Sequence, residues 1–275
     1  MSSLEDILSR TGGVKMDELR KYLESTGAPG GPPDSDISSS KCTKKFYEVL
    51  KSSVLKSLKS GSLTDFVLLM EALRQLGSPS VSNFRKFITF GLSKMMSVCL
   101  DQLLLLADSA LTFDWNKAME SFVSVIEDIS SYSESAFTSI CLLIPSLIHS
   151  LVIISYKLNS QYISTVVEIS RLLNHLLSNC SLVKRSLVLS SQDVYKDVIM
   201  IGERLPLVGD FEYQQNLLEM FFRLTDNDRR TDVALKLFGA YKLSKDFMNI
   251  RQPEFETDSR VFLNKLNTAS GSLQR

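Results

Sequence analysis

GDFEYQQNLLEMFFRLTDNDRRTDVALKLFGAYKLSKDFMNIRQPEFETDSRVFLNKLN, Gly209 to Asn267, decides the fold class. Asp210 is placed to cap a helix, its carboxylate accepting from backbone N–H groups of the first turn. Tyr213, Leu217, Phe221 and Leu224 follow at helical spacing and share one face. Glu212, Gln215, Glu219 and Arg223 take the other side, with Glu219 four residues before Arg223, the favourable order for an ion pair. Thr225 with Asp228 is expected to restart a helix in capping-box fashion, and Gly239 to close it. Pro253 is expected to open a last helix through Phe262 and Leu266. The stretch therefore predicts stacked antiparallel helices.

Upstream, the same rhythm recurs. Leu63–Leu76, Val81–Phe90 and Leu92–Leu106 each carry an apolar helical stripe, separated by Gly77, Pro79 and Gly91. Trp115, Ala118, Phe122, Val125 and Ile129 form the buried stripe of another helix, and Ile163, Val166, Val167, Leu173 and Leu177 of another. A shorter basic segment, Ser181–Leu189, and then Val194–Leu205 lead back to Gly209. A short helix, a Gly turn and a longer helix make up the arrangement used by helical repeats, although no clean 40-residue period is present. The predicted fold is all-α, an armadillo- or HEAT-like helical repeat solenoid. Its expected organisation is short capping helices at 1–25, a Gly/Pro/Ser-rich loop at 26–40, the helical domain at 41–267, and a disordered tail at 268–275.

Composition narrows the function classes. The chain has 275 residues, zero formal net charge and 44% hydrophobic residues, which argues against a surface uniformly built for nucleic acid. Its four cysteines, Cys42, Cys99, Cys141 and Cys180, form no CxxC pair and read as buried thiols in a reducing compartment. The two histidines, His149 and His175, lie far apart, and no ligand-spaced pair supports a metal. There is no GxSxG elbow, HExxH or Walker loop. No enzyme activity, cofactor, metal or small-molecule substrate is expected.

Three segments hold a sharper possibility beside a plain one. Lys41–Lys59 sets Lys41, Lys44, Lys45, Lys51, Lys56 and Lys59 against Glu48 alone, over a stripe of Phe46, Val49, Leu50, Val54 and Leu58. It reads as a solvated helix face or as a patch for an acidic partner or the DNA backbone. Glu127 and Asp128 fall in an acidic run, but adjacent helical residues diverge by about 100° and are poorly placed to share a substrate. Phe137–Tyr156 is apolar and about long enough to span a bilayer. Pro145, His149 and its polar flanks favour two core helices hinged at Pro145 instead, so no membrane contact is expected.

Beyond this point the residues imply function only by resemblance. Ile201-Gly202-Glu203-Arg204-Leu205, Gly209-Asp210-Phe211-Glu212, Phe222–Thr225 and Glu254–Asn264 (EFETDSRVFLN) resemble the N-terminal helical domain of the synaptonemal complex protein 2 family, including its 2-like paralogue. A weaker likeness lies at Lys41–Phe46 and around Pro145. The resemblance implies an armadillo-like domain in a nuclear protein of meiotic chromosomes, at the axis or centromere. Such a domain would scaffold the synaptonemal complex lateral element. It would dock other axis proteins, with centromere or kinetochore proteins as suspected partners. In the family this domain precedes a small pleckstrin-like domain, a long disordered region and a coiled coil, to which the resemblance does not extend. The rival reading is a general helical-repeat adaptor in the cytoplasm, for trafficking or the cytoskeleton. Candidate docking residues are Glu254, Glu256, Asp258 and Arg260 at the last helix, and Lys41, Lys44 and Lys45 on the basic helix. The acidic group serves either as helix caps complementing the dipole or as a docking edge.

Overall fold

Helix ends show most directly how local sequence becomes structure here. In the computed structural model, Asp210 adopts extended backbone and its carboxylate accepts from Tyr213 N at 2.8 Å. Thr43 and Ser133 cap their helices in the same way, accepting from Phe46 N and Ala136 N at 3.2 Å. Gly239, at φ 53°, closes a helix in the left-handed conformation that a side chain would strain, and its N–H donates to Leu235 O at 3.1 Å. The structure describes residues 4–8, 14–26, 42–77, 81–109, 113–156, 162–225, 227–239 and 241–271. Among these the only regular elements are helices.

The chain divides into two units, Met1–Leu143 and Ile144–Arg275. The first holds α1 (Leu4–Leu8), α2 (Met16–Thr26), α3 (Lys44–Lys59), α4 (Leu63–Gly77), α5 (Val81–Thr89), α6 (Leu92–Ser109), α7 (Phe113–Tyr132) and α8 (Glu134–Ile140). The second holds α9 (Ile144–Tyr156), α10 (Ile163–Asn179), α11 (Leu182–Ser190), α12 (Gln192–Arg204), α13 (Phe211–Leu224), α14 (Asn227–Phe238), α15 (Tyr241–Met248) and α16 (Phe255–Ala269). Helices repeatedly pack on the third helix after them: α3 on α6 and α4 on α7 in the first unit, and α9 on α12, α10 on α13 and α13 on α16 in the second. That three-helix stride is the stacking of an armadillo-like repeat, and it explains why no simple sequence period marks it.

In the first unit, Leu4, Ile7, Leu8, Leu19 and Leu23 are buried where α1 packs on α2 and α3, and α2 packs on α4. Short helices of this length need such docking. Trp115 is fully buried, and its indole N–H donates to Leu103 O at 2.8 Å. Gly77 lets α4 and α5 close up, because a Cβ there would lie 1.9 Å from the Phe84 ring. In the second unit, α10 is covered by both α9 and α13. Thr165, Ser170 and Asn174 are therefore buried beside the expected Val166, Val167, Leu173 and Leu177, while Ile163 is only half-buried. The hydroxyls of Ser155 and Tyr213 meet at 2.8 Å in this core, and burial holds the Tyr213 phenol above its ordinary range.

Several expectations are corrected. Thr225 does not open α14; it ends α13, its hydroxyl donating to Phe221 O at 2.7 Å, since a hydroxyl can serve a helix end as readily as a start. Pro253 sits in the turn before α16, which begins at Phe255 with Glu254 at its N-cap. The break in the apolar stretch is the 3-10 turn Cys141–Leu143, and Pro145 lies inside the first turn of α9, where its missing N–H costs nothing. The basic helix starts at Lys44 rather than Lys41, and its buried stripe includes Tyr47 while Val49 is half-buried. Residues 268 and 269 still belong to α16. Lys41, residues 27–40 of the expected loop and residues 272–275 lie outside the described residues. Of the four thiols, Cys42, Cys99 and Cys180 are buried and Cys141 is half-buried; burial pushes the Cys99 thiol up to about 12. By length and composition, Glu134–Tyr156 is long and apolar enough to cross a membrane, and half of its most apolar window is buried within the fold.

Candidate functional site

The predicted docking residues fall in different units and are taken separately. Lys44 and Lys45 stand exposed at the first turn of α3, beside Thr43. Lys56 and Lys59 are exposed at its other end, while Lys51 is paired with Glu48 at 3.3 Å. Cations suit a helix C-terminus, so Lys56 and Lys59 have a structural reason that Lys44 and Lys45 lack.

At α16 the four charged residues have unequal roles. Asp258 is held by Arg251: its carboxylate accepts from Arg251 N at 3.0 Å, Nε at 2.9 Å and Nη2 at 3.0 Å. The Arg251 hydrogen bonds keep the Asp258 carboxyl below its usual range. This clasp ties the turn before the helix to the helix's first turn. Glu256 and Arg260 are exposed and meet only at 3.5 Å, and Glu254 is exposed without a side-chain cap bond. Glu254, Glu256 and Arg260 therefore have surface to offer a partner, whereas Asp258 is occupied. The α7 acidic run behaves similarly, since Asp128 accepts from Arg74 Nε at 2.7 Å and bridges α7 to α4.

The sign of the Asp258 contribution follows from its lowered pKa. Its stabilisation is complete above the unfolded aspartate value, about 3.9, and is lost as pH falls through the folded value. Asp258→Asn should lower Tm by at most a few degrees at neutral pH, with α16 exchanging amide protons faster. The difference between the proteins should vanish at acidic pH, and thermal melts of both between neutral and acidic pH check this. A difference that persists unchanged into acid would show that the clasp does not act through the carboxylate's charge.

Sequence reading missed a third feature, a cleft of about 600 Å³ in the second unit, lined by Arg185, Arg223, Arg230, Glu219, Phe222 and Phe255 among others. These residues come from α11, α13, α14 and α16, and no spacing in the sequence announces their meeting. Among the described residues, no group of three or more His, Cys, Asp or Glu side chains is arranged to hold a metal ion. His149 is exposed and lies 3.0 Å from Asp197.

No family model matches the chain. Synaptonemal complex protein 2 of mouse is 36% identical to it over 88 residues, 32% of this chain and 6% of that protein. The human protein is 34% identical over a segment of the same length. Over this segment the chain is a relative of synaptonemal complex protein 2. Synaptonemal complex protein 2-like of mouse is 40% identical over 68 residues, 25% of this chain and 8% of its own length. The matched segments are thus a small part of these long relatives. A solved structure described as a synaptonemal complex protein covers 98% of this chain and 67% of its own, with a TM-score of 0.75 at 19% identity, which shows that the fold is shared.

The stretches resembling synaptonemal complex protein 2 do architectural work. Gly202 lets α12 approach α14, since a Cβ there would lie 2.1 Å from Leu237 Cδ2. Arg204 stacks 4.4 Å over the Tyr156 ring. Gly209 turns at φ 77°, Asp210 caps α13, and Thr225 ends it. Phe262 closes against Phe238 and Phe247, with ring centroids at 4.9 and 5.9 Å.

Proposed function

We propose that the chain is a non-catalytic docking module of the meiotic synaptonemal complex, carried on chromosome axes in the nucleus and engaging other components of that assembly. The observation that carries this is the 34–40% identity to synaptonemal complex protein 2 and its 2-like paralogue over a segment. The shared all-helical fold supports it. A repeat fold presents long helical surfaces rather than a reaction chamber, which suits assembly. Within this reading, Glu254, Glu256 and Arg260 form the acidic-edged docking surface, and Lys44 and Lys45 a second. Centromeric proteins are the further partners that the reading suggests.

The test is localisation of the tagged full chain in spread meiotic nuclei. Signal along the chromosome axes during prophase is the expected result. Diffuse cytoplasmic signal would overturn the reading in favour of a general helical-repeat adaptor. Glu256→Lys should leave Tm unchanged, because Glu256 is 79% exposed, while reducing co-recovery of axis proteins if the edge is a docking surface.

A further inference from the structure

The cleft of the second unit concentrates cations in a partly enclosed site. Glu219 is committed to Arg223, accepting its Nε at 2.8 Å. Arg230 stacks its guanidinium 4.0 Å over the Phe222 ring and donates Nη2 to Phe222 O and Thr225 O, both at 3.0 Å, and Nε to Thr225 Oγ1 at 3.2 Å. Those bonds fix its position and leave its charge uncompensated by any carboxylate lining the cleft. Arg185 donates Nη1 to Arg223 O at 3.0 Å, and its Nε is buried without a hydrogen-bond partner among the described residues. A buried donor left unmade is costly, so a group that accepts from it gains more than an exposed contact would. Beside these cations, Phe222 and Phe255 pack with ring centroids 5.2 Å apart and supply apolar wall.

The geometry points to an acidic peptide as the ligand of this cleft, a partner segment with a carboxylate side chain next to an apolar one. The carboxylate meets the Nε–Nη2 edge of Arg185, which matches its two oxygens, and lies in the field of Arg230. The apolar neighbour covers the Phe222–Phe255 pair. A phosphate group is less well matched, because it calls for several converging donors and those of Arg230 are already bonded to the protein. Three arginines and two phenylalanines in a concave site are the residue types that dominate peptide-docking energetics.

This proposal rests on the docking reading, and its test is independent of it, since axis localisation involves no peptide and peptide binding involves no axis. The full 275-residue chain is titrated into a fluorescent octapeptide alternating glutamate and leucine. Two further peptides replace every glutamate by glutamine, or all but one by glutamine and that one by phosphoserine. The acidic peptide should bind with an affinity that falls as salt rises, and the glutamine peptide should not. Arg185→Gln should weaken binding by about tenfold or more, the scale of a charge-assisted bond to a buried donor. Because that variant also leaves the Arg223 carbonyl unpaired, the unmodified chain supplies a second readout: the Arg185 Nε–Hε NMR signal should shift on titration. Equal binding by Arg185→Gln, an unmoved Nε–Hε signal, or binding of the phosphoserine peptide alone would overturn the proposal.

Discussion

Leu151→Asp is expected to cost several kcal/mol and to unfold the second unit under mild denaturant. Leu151 is fully buried in α9, which packs on α10 and α12. A carboxylate there loses its hydration, and its immediate helical neighbours Leu147, Ile148, Val152 and Ile154 are themselves buried apolar residues. Substitutions that bury an unpaired charge belong to the small class with very large effects. Denaturant melts followed by circular dichroism give the measurement, with Leu151→Ala as the comparison that makes a cavity without a charge. The aspartate variant should unfold at clearly lower denaturant than the alanine variant. Equal midpoints would mean that the aspartate reaches water, and that α9 is not the core helix its burial indicates. The same experiment bears on the apolar stretch as a membrane segment, because a helix that stabilises the protein in detergent-free buffer is acting as core.

Trp115→Ala is the corresponding test in the first unit. Trp115 is the chain's single tryptophan and is fully buried in α7, between residues that include Ala118 and Met119 of its own helix. Truncating a buried tryptophan typically costs about 3–5 kcal/mol through lost burial and the cavity left behind. Here Leu103 O also loses the indole donor at 2.8 Å. Trp115→Phe separates the two contributions, since it keeps most of the ring volume and removes the N–H; its cost should be smaller by several kcal/mol. Hydrogen exchange should show the loss concentrated in α4, α6 and α7, the helices packed together there. A Trp115→Ala protein with unchanged stability would contradict the burial of this side chain.

How much was legible from the residues differs with the reach of the interaction. The helix α13 was readable almost entirely: the cap at Asp210, the buried face of Tyr213, Leu217, Phe221 and Leu224, and the Glu219–Arg223 pair all involve residues within a turn or two of one another. Caps with two possible uses were not. Thr225 looked like a helix start, but its hydroxyl had an equally good acceptor behind it in Phe221 O, and the packing of Arg230 against it settled which end it serves. The acidic group at α16 read as four similar charges, yet Arg251 lies seven residues before Asp258 across a turn, and only the folded turn brings the two together.

The sequence by itself determined that this chain is a succession of amphipathic helices without a strand or a catalytic motif, and its resemblance named the family. Helical periodicity and capping act over three or four residues, so both are written locally. The tertiary structure alone decided the three-helix stride, the buried Ser155–Tyr213 contact and the arginine cleft. Each of these depends on which helix lies beside which, as when Arg185 meets Arg223 across 38 residues of chain. That choice is made by the fit of whole apolar faces, a property of many side chains at once that no short window of sequence contains.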